Sequence, residues 1–375
     1  MVPHTVAGQA IIACAGWTKA YLYDWATNAI TDYSAVVAVS ATVHLGSAWL
    51  LVAPRTLKDI TGANDYTFKV GGTNAANDPA TGMISCGDKL LIFTSQTCTV
   101  MYGNPQLSGE QFVTIDNRYG MVDANAWCRG PNGSLYVMSS QGLCLHANPG
   151  NAPPILVSDE KMPALLRGVD PTAYHVSPAH DTYQRKIKLA VTKVSATAGI
   201  PHWSYKLAED KCPSGFWMDI YDTPVEPFCI TSISQSCAGL AMSAYTDLLY
   251  GGRSGYIYRD DPSVITDDGT AVSQSLVVGP FYGWDSSYDG ILSGFRAKLG
   301  TNSGTVTVTF RGAASAEQAL AASAWESSLT LTGSAVGYCH PDMASMYWYA
   351  IFSSTARWAW EDVEAERTKG ARFYG

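Results

Sequence analysis

The chain has 375 residues, of which 47% are apolar and only 15% are charged, and its net charge is −8. This composition excludes a largely disordered chain, which needs low hydrophobicity and high charge. The chain also lacks a Lys/Arg run, which excludes a protein that grips nucleic acid through a basic surface. With 21 Tyr, 11 Trp and 34 Gly, the composition favours an all-β fold.

The N-terminal sequence MVPHTVAGQAIIACAGW has no positively charged start, so it does not predict a secretory signal. The longest later apolar run, AVVAVSATV at 35–43, is too short to span a membrane. We therefore expect a protein that is made in the cytoplasm and has no membrane span. Nine cysteines without a CxxC pair predict reduced thiols that act as small buried side chains, not a zinc site: Cys14, Cys86, Cys98, Cys128, Cys144, Cys212, Cys229, Cys237 and Cys339.

A two-strand pattern occurs three times along the chain, as GDKLLIFTSQTCTVMYGNP, NGSLYVMSSQGLCLHANP and TDLLYGGRSGYIYRDDP. Each copy has an apolar strand, a polar turn, a second short strand and a proline 14 or 15 residues after the first leucine. Gly142 and Gly255 occupy the turn in the second and third copies, where hairpins often need a positive φ. Thr97 stands there in the first copy, which predicts a different turn.

Weaker copies extend the series to SAWLLVAP at 47–54, KIKLAV at 186–191 and AIIACAGWTKAYLYDW at 10–25. Spacings of about 41, 45, 51 and 61 residues suit one four-stranded sheet per repeat. We therefore predict a β-propeller-like domain over residues 1–265, in which residues 1–40 form a further repeat, an arm or a ring-closing strand. A β-sandwich is the alternative for this part, because it also has many short strands with regular turns.

After the acidic segment DDPSVITDDG at 260–269, the pattern changes to longer alternating strands, among them TVTVTFRGA and MYWYAIFSS. This pattern predicts a smaller β-sandwich-like domain over 266–375. Ser315 and Gln318 form a capping-box pair, which predicts a short helix near 315–325. The final ERTKGARFYG predicts a terminal arm.

The sequence offers no motif for catalysis, because GxSxG, P-loop, GxGxxG and HExxH patterns do not occur. His175, His180 and Asp181 have poor spacing for a metal site. Asp260, Asp261, Asp267 and Asp268 lack the spacing of a calcium loop and predict a solvated acidic turn. We therefore predict no catalytic residue, no metal, no cofactor and no enzymatic activity.

The order of the segments carries a resemblance. From about residue 40 onward, nine segments follow one another in this order: GDKLLIF, GEQFVTI, RYGMVDANAW, GSLYVMSSQGLCLH, HWSYKLAEDKCPSGFWMDIYDTP, LLYGGRSGYIYRDD, LVVGPFY, MYWYAIF and RWAWEDVEAE. This order resembles the β-propeller tail proteins of short-tailed, podovirus-like bacteriophages, which form the nozzle or tail hub below the portal and its adaptor. The chain is shorter and less arginine-rich at its end than this resemblance suggests, so nozzle, hub and neck ring all stay open.

The resemblance implies a structural virion protein in a homo-oligomeric ring, a hexamer, which continues the DNA-ejection channel. Its partners would be the adaptor or head-to-tail connector above and fibre, spike or needle proteins below. Genomic DNA would pass without specific binding, which suits an acidic chain. Asp260, Asp261, Asp267 and Asp268 are the densest candidates for an acidic lumen or for a linker. The alternative function is a carbohydrate-binding or carbohydrate-active β-propeller, a lectin or a glycosidase, since Trp and Tyr stack on sugar rings.

Overall fold

The computed structural model shows a nearly all-β chain that divides into two compact units, Met1–Asp260 and Asp261–Gly375. The structure describes residues 2–3, 9–12, 19–34, 37–52, 54–59, 65–67, 78–104, 111–158, 173–194, 202–207, 215–219, 227–234, 246–252, 255–260, 266–267, 270–271, 273–282, 288–325 and 327–372.

The first unit consists of successive antiparallel sheets, each built from one continuous stretch of chain. Sheet 1 contains β1 (Val2–Pro3), β2 (Gln9–Ile12), β3 (Ala20–Asp24) and β4 (Ala29–Ser34). Sheet 2 contains β5 (Ala38–His44), β6 (Ser47–Val52), β7 (Thr56–Asp59) and β8 (Asp65–Thr67). Sheet 3 contains β9 (Ala80–Cys86), β10 (Lys89–Thr94), β11 (Cys98–Tyr102) and β12 (Gln111–Asp116).

The second half of this unit repeats the arrangement. Sheet 4 contains β13 (Trp127–Arg129), β14 (Leu135–Ser139), β15 (Gly142–His146) and β16 (Ile155–Leu156), with a 3-10 turn at Pro131–Gly133. Sheet 5 contains β17 (Tyr174–Asp181), β18 (Lys186–Lys193), β19 (His202–Lys206) and β20 (Gly215–Asp219). Sheet 6 contains, in its described part, β21 (Pro227–Ser234), β22 (Thr246–Gly252) and β23 (Ile257–Arg259).

Every copy of the sequence pattern falls on the same place in its sheet. The first strands of the six copies are β2, β6, β10, β14, β18 and β22, the second strand of each sheet. This strand is hydrogen-bonded on both edges, and its residues are the most buried, as in β14 where all five side chains are covered. In β6, β10, β14 and β18, burial on both faces explains why these segments are continuous apolar runs and not alternating ones.

Apolar side chains pack between consecutive sheets. Ile11 and Leu50 join sheets 1 and 2, Trp49 and Leu90 join sheets 2 and 3, and Ile230 packs on sheet 5 from sheet 6. The largest cluster joins sheets 3, 4 and 5. Each fully buried Leu or Ile contributes roughly 1.5–3 kcal/mol, so the sheets are held face to face in chain order, as propeller blades are.

In the turns after β10 and β14, a side-chain hydroxyl accepts hydrogen bonds from the backbone of the turn, but the two turns differ at one residue. The Thr94 hydroxyl accepts hydrogen bonds from the N–H groups of Gln96 and Thr97, at 3.2 and 2.9 Å. Ser139 accepts in the same way from Gln141 and Gly142, both at 3.2 Å. Gly142 has a φ of 137°, whereas Thr97 does not have a positive φ, so the two turns differ where the sequence predicts it.

The second unit contains two larger sheets and a small hairpin. The hairpin is β24 (Thr266–Asp267) with β25 (Thr270–Ala271). One sheet has the order β26 (Gln274–Tyr282), β32 (Tyr347–Ser354), β28 (Val306–Ala313) and β29 (Ser328–Leu331). In the other, β27 (Tyr288–Leu299) pairs with β33 (Trp360–Arg372) and with both β30 (Val336–Cys339) and β31 (Met343–Ser345). Phe295 of β27 contacts Phe310 of β28 at a ring distance of 4.9 Å, so the two sheets share one apolar core.

Three segments can be compared with their predictions. The helix α1 covers Ala316–Ala321, and the Ser315 hydroxyl accepts a hydrogen bond from the Gln318 N–H at 3.2 Å. The terminal segment expected to be an arm is a strand as far as Arg372, because β33 pairs along the length of β27. The described residues before position 35 form the four-stranded sheet 1, which agrees with a further repeat, one of the alternatives that the sequence leaves open beside an arm or a ring-closing strand. No helix in the described residues is long and apolar enough to cross a membrane.

Candidate functional site

The first strands of the sheets in the first unit lie side by side. His44 of β5 is 3.0 Å from the Ser85 hydroxyl of β9 through its Nδ1 atom. Arg129 of β13 donates to the Ser85 carbonyl at 3.0 Å. All three residues lie at or near the C-terminal ends of their strands, so these ends of β5, β9 and β13 come together.

Sheets 5 and 6 continue this arrangement. The Ser177 hydroxyl of β17 donates to the Ile230 carbonyl of β21 at 2.9 Å and accepts from its N–H at 3.1 Å. Two residues earlier on each strand, the His175 and Phe228 rings stack at 5.2 Å. β17 and β21 are therefore parallel over this stretch, and the side chains of the first strands are mostly small, hydroxylic or apolar.

His175 and His180 do not come together. His175 Nδ1 lies 2.6 Å from a carboxylate oxygen of Asp123, which precedes sheet 4. His180 is half-buried on β17, and burial lowers its pKa. The Asp181 carboxylate accepts hydrogen bonds from the N–H groups of Tyr183 and Gln184, both at 2.9 Å. Among the described residues, no group of His, Cys, Asp or Glu side chains is arranged to hold a metal ion.

Asp260 lies between sheets 5 and 6. Lys188 of β18 donates to its carboxylate at 2.6 Å and to the Tyr250 hydroxyl at 2.9 Å, and Tyr250 donates to the same carboxylate at 2.9 Å. We call Lys188, Tyr250 and Asp260 the clasp. Asp267 belongs to β24, and Asp261 and Asp268 lie outside the described residues. The acidic lumen or linker at these four positions therefore stays a prediction, and Asp260 already has partners within the chain.

The described cysteines are free thiols, and half of them are buried. Burial raises the pKa of Cys144 to about 12 and raises that of Cys98 and Cys128 as well. Such thiols are unreactive in the folded chain. Cys229 is exposed, which differs from the buried position that composition predicts.

The outermost strands carry exposed β-branched side chains. These are Ile30 on β4, Val113 on β12, Ile155 on β16 and Ile257 on β23, with exposed fractions of 62%, 45%, 59% and 74%. We call these four residues the outer-strand surface. Each lies on a strand that has a hydrogen-bonded neighbour on one edge only, within the described sheets.

The charged residues on these four strands already have partners. Asp32 of β4 pairs with Lys19, and Arg259 of β23 lies 3.1 Å from Asp247. Asp116 of β12 accepts from the N–H groups of Arg118 and Tyr119. Edge strands that stay monomeric usually carry free lysines, prolines or inward charges. The described residues of the outer-strand surface are apolar and carry none of these charges or prolines, although β16 and β23 are short, which also limits pairing. Sequence reasoning missed this surface because short edge strands have little periodicity.

No family model and no curated protein match this chain. Solved structures similar to it include the Cps50 (Swd1) β-propeller domain of Myceliophteria thermophila, with 12% identity, a TM-score of 0.43, and coverage of 69% of this chain and 81% of that one. Another is the extracellular domain of a putative hybrid two-component system from B. thetaiotaomicron, with 10% identity, a TM-score of 0.37, and coverage of 72% and 41%. A fungal alcohol oxidase of the AA5 family, in complex with copper, has 10% identity, a TM-score of 0.33 and coverage of 98% and 95%. At these levels of similarity, none of the three bears on what this chain does.

Proposed function

We propose that this chain is a structural virion protein of a bacteriophage tail, one copy of a ring-shaped nozzle or hub. The single observation that carries the proposal is the outer-strand surface. Exposed β-branched residues on edge strands whose charges are already paired are suited to pairing with a neighbouring chain. The segment order that resembles short-tailed phage tail proteins supports the same function.

The fold suits a ring. We infer that the six described sheets of the first unit form a β-propeller and that the second unit is β-sandwich-like. A heterologous interface joins two different surfaces of neighbouring copies, and outer strands on several sheets would give each copy such surfaces. A heterologous interface closes into a ring when the rotation from one copy to the next completes a full turn. The resemblance implies a hexamer, joined to the adaptor above and to fibres, spikes or a needle below.

The proposed role is structural and not enzymatic. In such a ring the channel would carry genomic DNA, and a chain with a net charge of −8 gives DNA phosphates few cations to bind. The protein would be made in the host cytoplasm and end in the virion.

The test is the mass of the purified protein by light scattering, alone and with lysate fractions from the same source. We expect a closed ring, or a chain that assembles on a larger particle. The triple variant I30K/I155K/I257K should remain folded and stay monomeric, because charged side chains on edge strands oppose pairing.

A matched control is V194K, because Val194 is 56% exposed but lies just after β18 and not on an outermost strand. V194K should assemble like the natural chain. A natural chain that stays monomeric in every fraction, or a triple variant that still assembles, refutes the proposal.

A further inference from the structure

The outer face of the sheet formed by β30, β27 and β33 presents an exposed tyrosine. Tyr338 of β30 is 44% exposed, and its cross-strand partner on β27 is Arg296. The side chain leans across β27, because its hydroxyl donates to Glu366 of β33 at 2.9 Å. The ring therefore spans three strands.

Gly294 of β27 lets the ring lie flat on the sheet. A Cβ atom at Gly294 would lie 2.2 Å from the Tyr338 hydroxyl oxygen and 2.9 Å from the ring carbon that bears it. The hydroxyl end of the ring thus covers the glycine, as aromatic side chains often do in sheets, and the side chain as a whole stays 44% exposed.

Polar groups surround the ring. The His340 ring meets it edge-on at 4.7 Å, and its Nδ1 lies 2.9 Å from the Ser293 carbonyl, to which it donates. This leaves His340 Nε2 for another partner. Arg296 lies 3.2 Å from Glu364, and both side chains are about half exposed. The carboxylate of Glu366, by accepting the tyrosine hydrogen bond, raises the pKa of Tyr338, so the hydroxyl stays protonated and the tether persists at neutral pH.

We propose that Tyr338, with Glu366, His340 and Arg296 around it, is a binding platform for a neutral pyranose. A pyranose has one face of C–H groups, which packs on an aromatic ring, and a rim of hydroxyls, which need both donors and acceptors. The platform supplies the flat ring, a carboxylate, an imidazole nitrogen and a guanidinium. Its ring is held before binding, which lowers the ordering cost. Because the surface is open and not concave, the affinity is weak, on the order of 1 mM.

The test is saturation-transfer difference NMR with the methyl glycosides of glucose, galactose, mannose and N-acetylglucosamine. At least one glycoside should show transfer to its ring C–H protons. The signal should fall to background in Y338A and by roughly threefold in Y338F, which keeps the ring but loses its tether.

Two further variants make the test specific. G294A keeps every side chain of the platform but lifts the Tyr338 ring away from the sheet, so it should weaken the transfer signal. The fold should survive, because the atoms that the new Cβ displaces are the ends of the flexible Tyr338 and Glu366 side chains. Y183A, at an equally open tyrosine of the first unit (49% exposed), should bind as the natural chain does. No transfer to any of the four glycosides, or transfer that survives Y338A, overturns the proposal. It does not rest on ring assembly, so each can fail alone.

Discussion

Replacing Lys188 with methionine tests the clasp between sheets 5 and 6. Methionine keeps the long unbranched side chain but removes the ammonium group, which donates to both Tyr250 and Asp260 and lies 5.6 Å from the Tyr250 ring centroid. The change leaves the Asp260 carboxylate with its tyrosine donor but without its cation.

The expected cost follows from burial. Breaking a fully buried ion pair on one side costs about 3–5 kcal/mol. The Lys188 side chain is 11% exposed, but that of Asp260 is 25% exposed, so water partly replaces the lost donor. We therefore expect K188M to lower the free energy of unfolding by about 2 kcal/mol, which lowers the Tm of a unit of this size by roughly 4–8 °C.

The assay is urea unfolding, with hydrogen exchange of peptides from β18 and β22 to locate the effect. The control is K19M, because Lys19 and Asp32 form an exposed pair, with side chains 43% and 59% exposed. Water screens such a pair, so K19M should unfold close to the urea concentration of the natural chain. In the double variant K188M/D260N, the D260N change should lower the free energy of unfolding little further, because it removes the Asp260 charge that K188M leaves without its cation. If K188M unfolds at the urea concentration of the natural chain, the clasp does not stabilise the first unit.

Three other predictions concern single positions. G120A should lower the free energy of unfolding by at least about 2 kcal/mol, because the new Cβ would lie 2.1 Å from the Thr94 carbonyl oxygen. The measurement is urea unfolding, and the control is G215A, whose new Cβ would meet open space. Burial lowers the pKa of His146 to about 4 from an ordinary 6.5, so as the pH drops the unfolded chain binds a proton before the folded chain does. The free energy of unfolding should therefore fall between about pH 6.5 and pH 4, by on the order of 3 kcal/mol. H146L should remove this part of the pH dependence, and an unchanged pH profile of stability contradicts the reasoning. Alkylation at neutral pH followed by mass spectrometry should label Cys229 quickly and Cys144 only after unfolding, and fast labelling of Cys144 would count against its burial.

The clasp also changes how the acidic-lumen prediction is tested. Neutralising Asp260 is expected to weaken the contact between sheets 5 and 6, so slower DNA ejection in D260N would not by itself indicate a lumen charge. Neutralising Asp261, Asp267 and Asp268 together, with Asp260 kept, separates the two effects. Intact virions with slower ejection would support the lumen prediction, and unchanged ejection would refute it.

The sequence predicts those parts of the fold in which the residue types of a short segment are set by how deeply that segment is buried or by a neighbour a few positions away. Leu90 and Leu135 mark second strands that are covered on both faces and are therefore apolar over most of their length. The Ser315 cap is also readable, since it depends on a residue three positions away. Outer strands such as β16, only two residues long, have no such pattern and were not predicted.

The site residues were predicted less well, because their partners are distant in sequence. Lys188 and Asp260 are 72 residues apart, and Asp123 reaches His175 from another sheet. Nothing in the local sequence distinguishes Asp260 from the acidic residues after it. The Tyr338 platform depends on a glycine and a glutamate from two other strands, which only the strand register brings together.

The pairing of β27 with β33 bears on the order in which the chain acquires structure during synthesis. Each sheet of the first unit uses one continuous segment, so it can form soon after its last strand leaves the ribosome, with little loop-closure entropy to overcome. β27 (Tyr288–Leu299) instead pairs with β33 (Trp360–Arg372), so one of its edges stays open until β33 has been made. The first unit can therefore form sheet by sheet as it is made, whereas the second unit, with the tyrosine platform on its surface, is completed only when β33 has been added.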